Sequence, residues 1–120
     1  MADLLNRVRL PFNANRVGQV AATVALSDTA YVDESRVLND AGLVQLGDGL
    51  RELGLSFIPG LANFLTVDFG RAAAPIYDAL LHRGVIVRPI GGYGLPNHLR
   101  ITVGLAAENA RVLDALRDVV

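Results

Sequence analysis

Residues 87–102, VRPIGGYGLPNHLRIT, decide how this chain is read. Two short apolar, β-branched runs, VIVRPI (85–90) and HLRITVG (98–104), flank a loop of glycine, proline and asparagine. That pattern predicts two strands joined by a connection. Each run carries one arginine, Arg88 and Arg100, in a setting where charge is costly unless it snorkels, pairs or faces a cleft. A guanidinium offers a planar, always-charged, bidentate grip on carboxylate or phosphate. Two of them at the ends of one loop can hold a ligand with two anionic groups. Alternatively, each pairs with an internal acid such as Asp68 or lies on an open sheet face.

The preceding runs LSFIP (55–59) and NFLTVDF (63–69) add a second pair of strands joined by a turn. Phe64, Thr66 and Asp68 alternate with Leu65, Val67 and Phe69, the pattern of a half-buried strand. Between the pairs, RAAAPIYDALLHRG (71–84) reads as a helix, with Pro75 near its first turn and Gly84 at its end. AAENARVLDALRDVV (106–120) reads as a last amphipathic helix, with Leu113, Leu116 and Val120 on one face.

The first half is helical. Asn15 can cap a small-residue helix over 16–28, apolar around much of its circumference. Ser27 or Asp28 caps a longer helix ending at Gly54. Gly42, Gly47 and Gly49 weaken it by up to about 1 kcal/mol each relative to alanine, so a kink or fraying is expected near 47–49. MADLLNRVR (1–9) is a helix end or lead-in, and Pro11 with two asparagines makes LPFNAN (10–15) a break. The order α α β β α β β α predicts an α+β two-layer sandwich: a small, mainly antiparallel sheet with helices on one face.

The 120 residues fit one domain. With 52% hydrophobic and only 19% charged residues, against a usual charged share of about 25%, part of the surface is expected to be covered by another domain or subunit. A net charge of −1 without a basic block argues against nucleic acid as a partner. There is no cysteine, hence no disulfide or thiolate metal site. No signal peptide or long apolar span is read, so the expectation is a cytoplasmic protein with no membrane partner. All eleven basic residues are arginine. A GC-rich coding bias accounts for that, but chemistry needing a lysine amine is closed to this chain alone.

Other candidates are weaker. His82 sits where helix C-capping explains it. His98 reads as a solvated turn residue, with support of Arg100 as the alternative. The two histidines do not make a metal site. No serine has the Gly-x-Ser-x-Gly context, and GGYG between two strands is not a dinucleotide fingerprint. Tyr93, between two glycines, either covers a ligand or plugs the loop against the sheet. Asn63 opens a strand, where turn stabilisation is its simplest role.

Taken together, GLANFLTVDF (60–69), GVIVRPIGGYGLPNHLRITVG (84–104) and AENARVLDAL (107–116) resemble the C-terminal small domain of the histidinol-phosphate aminotransferases. That group belongs to the class I/II, fold-type I pyridoxal-phosphate enzymes. RLPFNANRVGQVAATVAL (9–26) resembles the stretch soon after that family's catalytic lysine. The likeness covers essentially the whole chain and is most specific in GVIVRP, YGLPNHLRITVG and the EN that follows. It implies residues 1–15 as a lead-in and interdomain or interface segment, and 16–120 as the small domain. It implies amino transfer between histidinol phosphate and 2-oxoglutarate in histidine biosynthesis. By the family pattern Arg100 grips the substrate carboxylate and Arg88 the substrate phosphate; Tyr93 and Asn63 join them as further candidates for substrate binding. Phe12, Asn13 and Asn15 match a segment near the neighbouring subunit's active site in a homodimer. The family's large domain, with its lysine, pyridine-nitrogen aspartate, tyrosines and phosphate-cup residues, has no counterpart here. The chain is therefore expected to be a piece of a longer protein, arising by cleavage, gene truncation or design. Alone it is expected to be inactive, to bind no pyridoxal phosphate and to supply no catalytic or metal-binding residue. A related aminotransferase, an O-phospho-amino-acid decarboxylase, or a non-enzymatic self-associating module are the alternatives.

Overall fold

The computed structural model describes residues 2–9 and 12–120. Contacts divide the chain into two units, one reaching Glu34 and the other running from Ser35 to Val120.

The first unit holds α1 (Ala2–Val8), α2 (Arg16–Ala25) and the first turns of α3 (Thr29–Glu52). The Asn15 side chain accepts a 2.7 Å hydrogen bond from the Gly18 amide, and Asp28 does the same for Tyr31 at 3.1 Å. Both satisfy helix-start donors that would otherwise lack partners, as the sequence predicts. The break assigned to Pro11 lies outside the described residues. No residue of α1 or α2 is buried.

In the second unit four antiparallel strands, β1 (Ser56–Ile58), β2 (Phe64–Asp68), β3 (Arg88–Pro89) and β4 (His98–Thr102), lie in the order β1-β2-β4-β3. Leu65 and Val67 of β2 and Leu99 and Ile101 of β4 point to one face and are buried there. They pack with Leu46 and Leu50 of α3, Ile76 and Leu80 of α4 (Ala74–His82), and Leu113 and Leu116 of α5 (Ala106–Arg117). α3, α4 and α5 thus cover one face of the sheet, and the opposite face carries Phe64, Thr66, Asp68, His98 and Arg100.

Two expectations need correction. β3 has two residues rather than the six of VIVRPI. Gly84 turns with φ +71°, and the Val85 amide bonds back to Leu80 at the end of α4, so the start of the run finishes a helix. Pro89 has no N–H to extend the ladder, which suits a sheet edge. The second correction concerns α3, which runs unbroken to Glu52. Its glycines are sites of close approach: a Cβ on Gly49 would lie 2.3 Å from Leu113 Cδ1, and one on Gly42 2.3 Å from Val103 Cγ1.

Asn109 is the one buried polar residue among those described. Its Oδ1 accepts from the Gly104 amide (2.9 Å), while its Nδ2 donates to the Gly104 carbonyl (3.2 Å) and to Gln45 Oε1 (3.1 Å). This amide ties the end of β4 to α3 and α5. Glu108 returns to the Leu105 amide at 2.8 Å and so caps α5.

Candidate functional site

The strand register builds the site. Arg88 of β3 is the direct partner of Arg100 of β4, and Arg100 is the direct partner of Thr66 of β2. Directly opposed residues share a face, and for Arg100 that face is the one opposite the side where α3, α4 and α5 pack. The Arg100 guanidinium lies over the Phe64 ring, 4.9 Å from its centroid. Phe64 is the diagonal neighbour of Arg100 across the strand pair, within reach of a long side chain. The ring supports the cation electrostatically from beneath.

Among the described residues no carboxylate pairs with either arginine. Asp68, the acid the sequence offered as a counter-charge for Arg100, is committed elsewhere. Its Oδ1 accepts from the Gly70 amide at 2.9 Å, and its Oδ2 lies 3.8 Å from His98 Nε2. Arg100 Nε is buried without a hydrogen-bond partner, and Arg88 is exposed. Buried polar groups are nearly always partnered, so an unpaired guanidinium on an open sheet face is suited to an anion from outside the chain. Nothing in this arrangement places a nucleophile against a base.

The other predicted residues fall as follows. Tyr93 ends a short 3-10 turn (Gly91–Tyr93) in the β3–β4 connection and is 73% exposed, so it does not plug the loop against the sheet. Gly94, next to it, takes φ +80°, a conformation glycine adopts freely. Asn63 is exposed, one residue before β2, and its carbonyl accepts from the Val103 amide at 2.9 Å. Phe12, Asn13 and Asn15 lie in the first unit and are exposed; Phe12 holds φ +58°, uncommon for a non-glycine residue.

His98 is the residue that sequence reasoning undervalued. It is the first residue of β4, its side chain is only 16% exposed, and Asp68 is its direct partner in register. The signal was available: 98, 100 and 102 share a face of a strand. His82 is exposed, and its Nδ1 contacts the Asp78 carbonyl at 2.7 Å, a local helix contact. Among the described residues no three histidine, cysteine or acidic side chains gather as a metal site, and no helix is long and apolar enough to cross a membrane.

Comparison with known proteins identifies the family and matches the fold. The model of the family "Aminotransferase class I and II" matches residues 1–116. Histidinol-phosphate aminotransferase 2 of Pseudomonas fluorescens is 57% identical over 119 residues, covering 99% of this chain and 32% of that protein. The protein of the same name from Methylococcus capsulatus is 56% identical over 108 residues, covering 90% of this chain and 29% of its own length. The crystal structure of histidinol-phosphate aminotransferase from Sinorhizobium meliloti in complex with pyridoxal-5'-phosphate superposes with a TM-score of 0.81 at 30% identity, over 98% of this chain and 33% of that one. The chain thus spans about a third of the length of the relatives it matches.

Proposed function

We propose, for a chain that belongs to the class I and II aminotransferase family, that it is the small domain of a histidinol-phosphate aminotransferase and supplies that enzyme's substrate-anion anchors. Arg100 holds the substrate carboxylate and Arg88 the phosphate, with Tyr93 and Asn63 at the margins. The observation that carries this reading is the in-register Arg88–Arg100 pair, to which no carboxylate among the described residues is bound. Two neighbouring guanidiniums suit an enzyme whose two substrates are both anionic, the phosphate of histidinol phosphate and the carboxylates of 2-oxoglutarate.

Pyridoxal phosphate enters only through the rest of the enzyme. Bound there, it supplies the electron sink for amino transfer. This chain's donor set does not fit it: there is no lysine to bond its aldehyde carbon, and Asp68 is occupied with Gly70 and His98. The chain's part is to bind and orient the anionic ends of the substrate.

On the same reading residues 1–15 form the lead-in to the interface with the large domain. Phe12, Asn13 and Asn15 then face the neighbouring subunit of a homodimer, and the setting is cytoplasmic. The apolar stripe of α2 supports a covering partner: Val17, Val20 and Val24 stand at helical spacing and are each more than half exposed. Self-association through that stripe is the second reading. Light scattering separates the two, since a monodisperse dimer disrupted by Val20→Asp favours it and a monomer removes it.

The deciding experiment is complementation. The lysine-bearing remainder of the Pseudomonas fluorescens relative is co-expressed with this chain, and amino transfer from histidinol phosphate to 2-oxoglutarate is followed. Activity that needs both pieces, and falls at least 100-fold with Arg100→Ala, supports the reading. Activity indifferent to Arg100 and Arg88 overturns the assignment of the anchors. Comparing imidazole-acetol phosphate with 2-oxo acids and O-phospho-amino acids distinguishes this enzyme from a related aminotransferase or a decarboxylase.

A further inference from the structure

Arg100 shares its face of β4 with His98, two residues earlier, because alternate residues of a strand project together. Each keeps a buried nitrogen without a partner, Nε of Arg100 and Nδ1 of His98. His98 Nε2 faces Asp68 Oδ2 at 3.8 Å. Asp68 cannot turn to Arg100 without releasing the Gly70 amide that its Oδ1 holds at 2.9 Å. The carboxylate is therefore fixed beside the arginine pair but answers to the histidine.

The strand register brings three charged side chains near His98. Asp68 comes from β2, Arg100 from β4, and Arg88 from β3 beyond Arg100. Ser56, opposite Asp68 on β1, is neutral. Arg71, just past the β2 turn, sends its guanidinium to the Val119 carbonyl at 3.3 Å. With His98 neutral, the Asp68 carboxylate is an uncompensated negative charge on the diagonal neighbour of Arg100 across the strand pair, about 7–8 Å away. That distance is comparable to the screening length of about 8 Å at physiological salt. With His98 protonated, the negative charge is cancelled and the arginine pair acts at full strength. Histidine is the side chain whose charge ordinarily changes between pH 5 and 8.

We propose that His98 and Asp68 set the charge of the anion site. His98 is a positioning residue that does not touch substrate; its protonation neutralises Asp68 and lets Arg88 and Arg100 take a doubly charged group of the phosphoryl or sulfate type. The inference rests on the reading of Arg88 and Arg100 as anion anchors.

The test uses sulfate, which stays a dianion throughout the range. The 120-residue chain is titrated with sodium sulfate at pH 5.5 and 8.5 at constant ionic strength. Binding is read from backbone amide shifts, and the His98 ring is followed with His82 as internal reference. Sulfate binds about 3- to 10-fold more tightly at pH 5.5, the size expected for one charge acting on a dianion at this range. His98→Gln removes that difference, and Asp68→Asn binds at pH 8.5 as wild type does at 5.5. Bound sulfate also moves the His98 ring titration to higher pH by linkage, while His82 stays put; that readout needs no variant. Equal affinity at both pH values, or an unmoved His98 titration with sulfate bound, overturns the proposal and leaves the arginine anchors standing. Absence of sulfate binding at both pH values brings down the anchors and this proposal together.

Discussion

Arg88 and Arg100 are direct partners across β3 and β4, so two guanidiniums share one sheet face with no carboxylate between them among the described residues. Like charges in directly opposed positions destabilise a sheet by roughly 0.2–1 kcal/mol. Arg88→Gln should therefore leave stability unchanged or raise it by up to about 1 kcal/mol in urea unfolding at low salt, and the gain should shrink in 0.5 M sodium chloride as screening removes the repulsion. The same substitution should abolish most of the stabilisation that sulfate gives the wild type through binding. A loss of more than about 1 kcal/mol in low salt would show that Arg88 supports the fold instead of straining it.

The glycines of α3 allow a test of sign. Alanine gains about 1 kcal/mol over glycine in a helix interior. At Gly47 the new methyl would meet Phe57 Cζ at 3.3 Å, on a half-buried ring that can yield, and the end of the exposed Arg51 side chain at 3.6 Å. At Gly49 it would lie 2.3 and 2.7 Å from the two methyl groups of Leu113, a core side chain in a closely packed setting. Overpacking of that kind costs about 1–3 kcal/mol. Thermal or urea unfolding should rank Gly47→Ala at or above wild type and Gly49→Ala below it, and a stabilised Gly49→Ala would remove close helix packing as the reason for that glycine.

Much of this was legible in the sequence because it rests on local periodicity. The alternation in NFLTVDF set Leu65 and Val67 on the face opposite Phe64, Thr66 and Asp68, and both are buried; the caps at Asn15 and Asp28 follow from short-range hydrogen bonding. What was not legible depends on register and packing between distant segments. Nothing local states that Arg88 and Arg100 stand opposite each other, because the loop length alone does not set which residues pair. Asp68 was within view as a counter-charge, but its choice of His98 over Arg100 follows from the register of β2 on β4. The glycines of α3 looked like weak points because propensity scores a helix alone, whereas Leu113 and Val103 fill the space a side chain would take.

Asn109 is the amide on which the β4 exit depends. Replacing it with alanine leaves both backbone groups of Gly104 without the partner they have now. Each buried polar group stranded in this way costs about 1–3 kcal/mol. Asn109→Ala should lower unfolding stability by about 2–4 kcal/mol, and Asn109→Asp, which keeps the acceptor for the Gly104 amide, should fall between. Hydrogen exchange should locate the damage: the Gly104 amide should lose protection in Asn109→Ala while Leu99 and Ile101 keep theirs.

The absence of lysine yields the last prediction. A chain whose eleven basic residues are all arginine has no side-chain amine to attack an aldehyde. Incubation with pyridoxal phosphate and borohydride reduction, followed by peptide mapping, should label the α-amino group at most and no internal residue. The arginine pair nevertheless offers the cofactor's phosphate a grip through charge alone. Any non-covalent binding should therefore be displaced by sulfate and lost in the Arg88→Gln, Arg100→Gln double variant. Adding the lysine-bearing remainder of the Pseudomonas fluorescens relative should then move the reduced label onto that partner. A label on an internal peptide of this chain, with no partner present, would contradict the division of labour proposed between substrate anchors here and cofactor chemistry elsewhere.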